Sequence, residues 1–230
     1  MRGEAVILFW WLMFGASHII GSSVPVRNFF ISRIRTLGFK IIYSLVALAT
    51  FVPLCYVYFN NRHAGYLFYN PGYSVKLLAH FIMLAAIIVL LQALVTANPM
   101  TTTAELSGRV VASAQGIQRI TRHPQNFAFG LFGLAHLLAT PYVGDWIFFG
   151  GFIVYGILSS LHQDLRMLAA GSDTVKQFMA DTSAVPFAAI IKGKQRLAPG
   201  EYYPPALAAA VVLFILLRLV HPMLIGGFGG

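Results

Sequence analysis

The chain has 230 residues, of which 58% are hydrophobic and only 10% are charged. A soluble domain carries about 25% charged residues, so this composition excludes an ordinary soluble protein and indicates a protein embedded in lipid. The formal net charge of +9 does not indicate nucleic-acid binding, because the basic residues are spread over several loops and form no single patch.

Six segments are long and apolar enough to cross a bilayer, which takes about 20 residues of helix. The apolar run after Arg2 resembles a signal peptide, but it continues through His18 to Val24, so we interpret it as a retained first helix. The sequence therefore predicts an all-α fold, a polytopic transmembrane helix bundle that forms one domain over 1–230. The six predicted helices are about 5–25, 38–59, 74–96, 124–143, 146–163 and 204–225.

Most of the 16 basic residues lie in the first, third and fifth loops between these helices. The positive-inside rule then predicts a multi-pass protein of the cell inner membrane, with these loops in the cytoplasm and both termini outside. The fifth loop, 164–203, alternates apolar and charged residues, which predicts an amphipathic helix near 172–181 at the membrane surface. The basic residues of the three loops are Arg27, Arg33, Arg35 and Lys40; Arg109, Arg119 and Arg122; and Arg166, Lys176, Lys192, Lys194 and Arg196.

Histidines are the side chains best able to carry chemistry here, because His18, His80 and His136 lie well inside predicted spans. An ionisable side chain in the hydrocarbon region usually faces a bundle interior or a cofactor, although a neutral histidine can simply bond a neighbouring carbonyl. The predicted spans contain no Asp or Glu, and Cys55 is the single cysteine. These features disfavour zinc and di-iron carboxylate centres and favour a b-type haem held by one or two imidazoles.

Depth along the helices restricts which histidines could share an iron. At about 1.5 Å per residue, His18 lies roughly 10 Å and His136 roughly 18 Å from the cytoplasmic face, while His80 lies at roughly 24 Å on the same scale. Helix tilt absorbs such differences, so both His18–His136 and His80–His136 are possible pairs. His123 and His136 point about 140° apart around one helix, which excludes this pair.

The segment 120–126 is the sharpest local pattern, with a threonine cap and a proline at the start of a helix. It places Arg122 and His123 at a helix N-terminus near the membrane interface, where anionic groups bind, although a plain interface anchor would look the same. A haem near the cytoplasmic side would bring its propionates within reach of Arg119 or Arg122. Arg119, Arg122 and His123 are therefore candidate cofactor-binding residues, and a haem nearer the outside would favour Arg218 instead.

Several motifs resemble the NnrU family, which is similar to the zeta-carotene isomerases of plants and cyanobacteria, and together they cover nearly the whole chain. The densest is 119–126 with the glycine-rich run that follows it. The other matches lie in the first two helices and in 182–188. The matching residues are Arg119, Ile120, Thr121, Arg122, His123, Pro124, Gln125, Asn126, Gly130, Gly133, Leu134, Ala135, His136 and Leu137; Ser17 and His18; Gly38, Phe39, Tyr43, Ser44 and Leu45; and Val185, Pro186 and Phe187.

The resemblance implies a six-helix membrane protein with an apolar small molecule as its ligand. In the isomerase branch it also implies a haem b held by two histidines and a redox-controlled cis–trans isomerisation of a carotenoid-like polyene. The matching positions are His18 and His136, which would ligate the iron and act in catalysis, with His123 as the substitute ligand. The chain departs from the isomerase pattern at 161–164, where Leu, His, Gln and Asp stand.

Two alternatives belong to other functional classes. The NnrU branch is associated with denitrification and nitric oxide metabolism, which would make the chain a non-enzymatic haem or redox protein with a diatomic gas as ligand. The Arg-His-Pro run at 122–124, followed by an apolar hairpin, also resembles membrane methyltransferases of the isoprenylcysteine type, which use S-adenosylmethionine. The paired glutamates expected after that hairpin are absent, and Gln163 and Asp164 are a weak substitute.

Overall fold

The computed structural model describes residues 3–99 and 113–225, and they fold into helices. The prediction of an all-α helical protein is confirmed. Short 3₁₀ turns occur at Gly116–Arg119 and Pro199–Glu201. The helices are α1 (Gly3–Ser22), α2 (Val24–Asn60), α3 (Tyr73–Val95), α4 (Pro124–Ala139), α5 (Val143–Ala170), α6 (Asp173–Asp181), α7 (Ala188–Ile191) and α8 (Pro204–Ile225).

Five helices of the described residues are long and apolar enough to cross a membrane, namely α1, α2, α3, α5 and α8. Each coincides with a predicted span, which makes the chain a multi-pass membrane protein. The fourth predicted span is also a helix, but α4 has only 16 residues and ends at Ala139 instead of 143. At about 1.5 Å per residue it extends roughly 24 Å, less than the ~30 Å hydrocarbon core of a bilayer.

Two predicted loops are largely helical. Helix α2 begins at Val24 rather than 38, so only Ser23 separates it from α1. The basic residues that suggested a loop are good helix formers, and Arg33 lies on the α2 surface with its guanidinium 3.6 Å from the ring centre of Phe29. The helix breaks at Arg35, where φ is 61°. Helix α5 likewise continues past the predicted end at 163 to Ala170.

Large apolar side chains are exposed along the spans, as expected for a protein in lipid. Helix α2 presents one such stripe, with residues spaced three or four positions apart that share a face. In water these surfaces would form an aggregating patch, whereas hydrocarbon chains solvate them. The stripe consists of Leu45, Leu48, Val52, Tyr56 and Phe59.

The chain divides into two compact units. The first contains the residues up to Ala79 together with Gly133–Ala170, and in it α1 packs against both α2 and α5. Trp11 is buried in this unit and donates its indole N–H to the carbonyl of Phe148 at 3.0 Å. Gly151 lies directly beneath the Trp11 ring, so only a residue without Cβ fits there.

The second unit contains His80–Phe132 and the described residues from Gly171 onward. Val89, Ile117 and Ala128 form its buried core. The side-chain amide of Gln92, which is 1% exposed, donates to the carbonyl of Tyr203 and accepts from its N–H, both at 3.0 Å. These two bonds attach α3 to the start of α8.

Helix α6 confirms the amphipathic helix predicted near 172–181. The hydroxyl of Ser172 caps it by accepting from the N–H of Val175, as short polar residues do at helix starts. Phe178 and Met179 are buried on one side of the helix, while Asp173 and Lys176 are exposed. The pattern of apolar and polar residues was therefore sufficient to place this element.

Candidate functional site

His18 lies in the first unit, among aromatic rings from three helices. Its ring centre is 5.3 Å from that of Phe14, 4.5 Å from that of Tyr43 on α2 and 5.5 Å from that of Tyr155 on α5. The hydroxyl of Tyr43 donates to the backbone carbonyl of His18 at 3.1 Å. The buried Nδ1 atom of His18 has no hydrogen-bond partner among the described residues, which is unusual for a buried polar group.

His162 is close to His18, although the sequence did not mark it as a site residue. The two histidines lie near enough for their charges to interact. The Nε2 atom of His162 is also buried without a hydrogen-bond partner in the described part of the chain. Tyr155 and His162 are seven positions apart on α5, which places them on the same face. Arg166 lies on the same face one turn further along α5. The sequence prediction ended this helix at 163, so it did not show that these residues share a face.

Three cations cluster beside this histidine pair, and we call Arg27, Lys40 and Arg166 the basic cluster. The charges of all three lie close enough to repel one another. Arg166 also lies near Tyr43, and its Nε atom is buried with no hydrogen bond from the described residues. Like charges held this close favour the binding of an anion.

His136 contacts a different part of α5. Its ring stacks on that of Phe149, with centres 4.1 Å apart and planes at 13°. Phe149 precedes Tyr155 by six residues, or about 9 Å at ~1.5 Å per residue. His136 and His18 thus meet α5 at separate levels, and their joint ligation of an iron stays a prediction.

A buried carboxylate at the opposite end of α5 overturns one expectation. The sequence suggested spans without Asp or Glu, but Asp145 lies in the first turn of α5 and is fully buried. Its oxygens bond the Nδ1 atom of His63 at 2.7 Å and the hydroxyl of Tyr58 at 3.1 Å. The predicted helix start at 146 had left this residue outside. A carboxylate there complements the positive end of the helix dipole.

Arg119, predicted to bind a cofactor, pairs with a carboxylate of the protein in the second unit. Its Nε and Nη2 atoms donate to the two oxygens of Glu201 at 2.8 and 2.6 Å, and Nη1 donates to Gln195 at 2.8 Å. The backbone N–H of Gly116 donates to the same carboxylate at 2.7 Å. The Arg119 guanidinium, aided by this N–H, lowers the pKa of Glu201 to about 2. The pair joins the two 3₁₀ turns.

The segment 120–126 forms hydrogen bonds with the region around 182–188, the other loop segment that resembles the NnrU family. Arg122 donates through Nη1 to the carbonyls of Met179 and Thr182 at 3.0 and 2.9 Å. The remaining bonds between the segments run from the hydroxyl of Thr121 to the carbonyl of Ala184, from the N–H of Arg122 to the carbonyl of Ser183, and from the N–H of Phe187 to the carbonyl of Ile120. The sequence identified both segments but not their contact.

His123 is buried beside this junction, with 5% of its surface exposed. Its N–H donates to the hydroxyl of Thr121 at 3.3 Å. Both residues precede Pro124, the first residue of α4, so a cap by Thr121 stays a prediction. The predicted cofactor contacts of Arg119, Arg122 and His123 stay predictions, and the structure adds a structural role for each residue.

A second pair of neighbouring histidines lies in the second unit. His80 on α3 and His221 on α8 are close enough for their charges to interact, and the ring of His80 faces Phe214 edge-on at 6.4 Å. Within 3–99 and 113–225, no three side chains from His, Cys, Asp or Glu come together as a metal site would require.

Known proteins place the chain in a family. The sequence profile of the NnrU protein family matches residues 6–227. The chloroplastic 15-cis-zeta-carotene isomerase of Zea mays is 32% identical over 116 residues, which cover 47% of this chain and 31% of that protein. The enzyme of the same name from Arabidopsis thaliana is 30% identical over 118 residues, with 48% and 31% covered.

These alignments span about a third of the length of either isomerase. No solved structure is significantly similar to the chain. The family profile, by contrast, extends from α1 to α8 and includes every histidine of the first unit. The chain belongs to the NnrU family.

Proposed function

We propose that this protein is a haem b membrane protein that isomerises double bonds of a carotenoid-like polyene. The observation that carries the proposal is His18, a half-buried imidazole inside a membrane span whose buried Nδ1 atom has no hydrogen bond from the described residues and whose neighbours are aromatic. The relationship to the NnrU family and the similarity to 15-cis-zeta-carotene isomerases support the choice of reaction.

The residues around His18 fit a b-type haem. Imidazole is a common haem ligand, and the macrocycle needs apolar, flat neighbours such as Phe14, Tyr43 and Tyr155. Haem also carries two propionate groups, and guanidinium groups bind carboxylates well. The basic cluster beside His18 supplies such groups. The imidazole ligand, the aromatic neighbours and the positive charge around His18 therefore all match what a haem b requires.

A cis–trans isomerisation suits a site of this kind because substrate and product have the same atoms and the same number of electrons. When bound, haem supplies a Lewis acid or one-electron switch. The protein has to hold the polyene in apolar surroundings and exclude water, and the contacting rings of Phe14, Phe51 and Tyr155 supply aromatic neighbours for it. The polyene is as apolar as lipid, so we expect it to enter from the bilayer.

Optical spectroscopy tests the haem proposal. The protein, purified in detergent after expression with adequate haem, should show the Soret and α bands of a haem b, and dithionite should sharpen them. His18→Ala should reduce the bound haem about tenfold or more, because loss of an axial ligand removes a metal bond. The matched control is His80→Ala, a span histidine of the second unit, which should retain the haem.

The isomerase proposal needs a separate assay. Reduced protein is incubated with poly-cis carotene, and the products are separated by chromatography. We expect isomerised product from the wild type and none from His18→Ala. A wild-type spectrum without haem bands would contradict the proposal that the protein binds haem. Bound haem without turnover would instead indicate a non-enzymatic haem protein.

We also propose that α4 crosses the inner membrane and that both termini lie outside the cytoplasm. The three basic segments, the first of which lies on the N-terminal part of α2, then share the cytoplasmic side, as the positive-inside rule requires. Sixteen residues are short for a span, but a bilayer thins locally around a short helix at a modest cost.

Reporter fusions test this topology. Alkaline phosphatase, which is active only outside the cytoplasm, should be active at either terminus, and green fluorescent protein should be dark at both after export. Fusions that report opposite sides for the two termini would mean an odd number of crossings, and α4 would then lie within one side of the membrane.

A further inference from the structure

We infer that His162 is the second axial ligand beside His18, and that the basic cluster of Arg27, Lys40 and Arg166 binds the haem propionates. This inference rests on the haem proposal above and specifies its site. It differs from the family resemblance, which assigns the second ligand to His136, and it uses the stretch of α5 where this chain departs from the isomerase pattern.

The first step is the pair of imidazoles. His18 on α1 and His162 on α5 interact electrostatically, and each has a buried nitrogen without a hydrogen bond from the described residues. A buried polar atom without a hydrogen bond destabilises the folded state. Two such atoms on facing helices are explained together when an iron lies between the rings.

The second step concerns His136. One face of its ring is covered by Phe149, with the planes nearly parallel. Phe149 and His162 are 13 positions apart on α5, or about 20 Å at ~1.5 Å per residue. A haem held by His18 and His162 and a haem held by His18 and His136 are therefore different sites, so an experiment can separate them.

The third step is charge. Arg166 follows His162 by four positions and lies on the same face of α5, while Arg27 and Lys40 approach from α2. Three cations that repel one another are stabilised by a ligand with two carboxylates. Asp164 also lies on this stretch of α5, two positions from His162 and two from Arg166.

The experiment compares single variants of the full-length protein by optical and electron paramagnetic resonance spectroscopy. The wild type should show a low-spin ferric signal of two imidazoles. His162→Gly should convert it to a high-spin signal, and free imidazole should restore the low-spin signal. That rescue separates loss of a ligand from loss of folding. His136→Ala should keep the low-spin signal, and so should the control His80→Ala.

The propionate assignment is tested by Arg166→Gln, which removes the charge and leaves a shorter, polar side chain. We expect haem binding to weaken about tenfold, as for the loss of a charge-assisted contact, while the low-spin signal of the bound fraction persists. Arg196→Gln is the control of equal charge change.

Two outcomes overturn the inference. One is a low-spin signal that survives in His162→Gly but disappears in His136→Ala, which would assign the second ligand to His136. The other is an Arg166→Gln variant that binds haem as tightly as Arg196→Gln does. A wild type without haem would refute the proposed function itself, and that result is distinct from both.

Discussion

Gly133→Ala is expected to lower the stability of the protein by about 3 kcal/mol, at the upper end for overpacking. A Cβ at this position would collide with the backbone carbonyl oxygen of Phe149, and Ile153 and Phe152 leave little room beside it. A backbone atom in a helix cannot rotate away as a side chain can. Small residues allow such close helix contacts in membranes.

Gly130 provides the matched control for this substitution. It lies one turn earlier on the same helix, and a Cβ there would meet nothing within 4 Å. Gly130→Ala should therefore be neutral or should stabilise α4, because alanine is favoured over glycine in a helix by about 1 kcal/mol. The melting temperature in detergent measures both effects. Equal melting temperatures for the two variants would show that Gly133 is not a close-contact position.

Asp145→Ala should destabilise the first unit by about 3 kcal/mol, which is typical for breaking a buried charged hydrogen-bond network. The substitution leaves the hydroxyl of Tyr58, whose residue is 4% exposed, without its acceptor. It also removes the acceptor that the N–H and the Nδ1 atom of His63 share. The loop after α2 would then be attached to the start of α5 by fewer bonds, among them that from the N–H of Gly144 to the carbonyl of Ala64.

Two controls separate the network from charge alone. Tyr58→Phe removes one hydrogen bond but keeps the ring stacked on Phe148 at 3.8 Å, so a loss of about 1 kcal/mol is expected. Asp173→Ala removes a carboxylate whose side chain is fully exposed and should change stability much less than Asp145→Ala does. Chemical unfolding in mixed micelles gives these values, and an Asp145→Ala curve that overlays Asp173→Ala would refute the network.

Hydropathy predicted the positions of the spans because the period and length of apolar runs follow directly from bilayer thickness. It failed at the helix ends. Charged residues were interpreted as loop, yet arginine and lysine side chains extend along a helix surface and keep their charges in polar surroundings. For this reason α2 begins before Arg27 and α5 continues past Arg166.

The same error concealed part of the site. His162 and Arg166 share a face with Tyr155 only if α5 continues to Ala170, and the predicted end at 163 removed that relationship. Asp145 was missed because α5 begins at Val143, three residues before the predicted start at 146. His18 needed no such detail, because its position inside a long apolar run was already exceptional. Contacts distant in sequence, such as Arg119 with Glu201, left no local pattern to detect.

The hydrogen bonds of the Gln92 side chain cannot form until most of the chain has been synthesised. Its partner Tyr203 leaves the ribosome 111 residues later. Until then the amide lacks this partner, and an unpaired polar group is costly in a membrane. The attachment of α3 to α8 is therefore a late step in the assembly of the second unit.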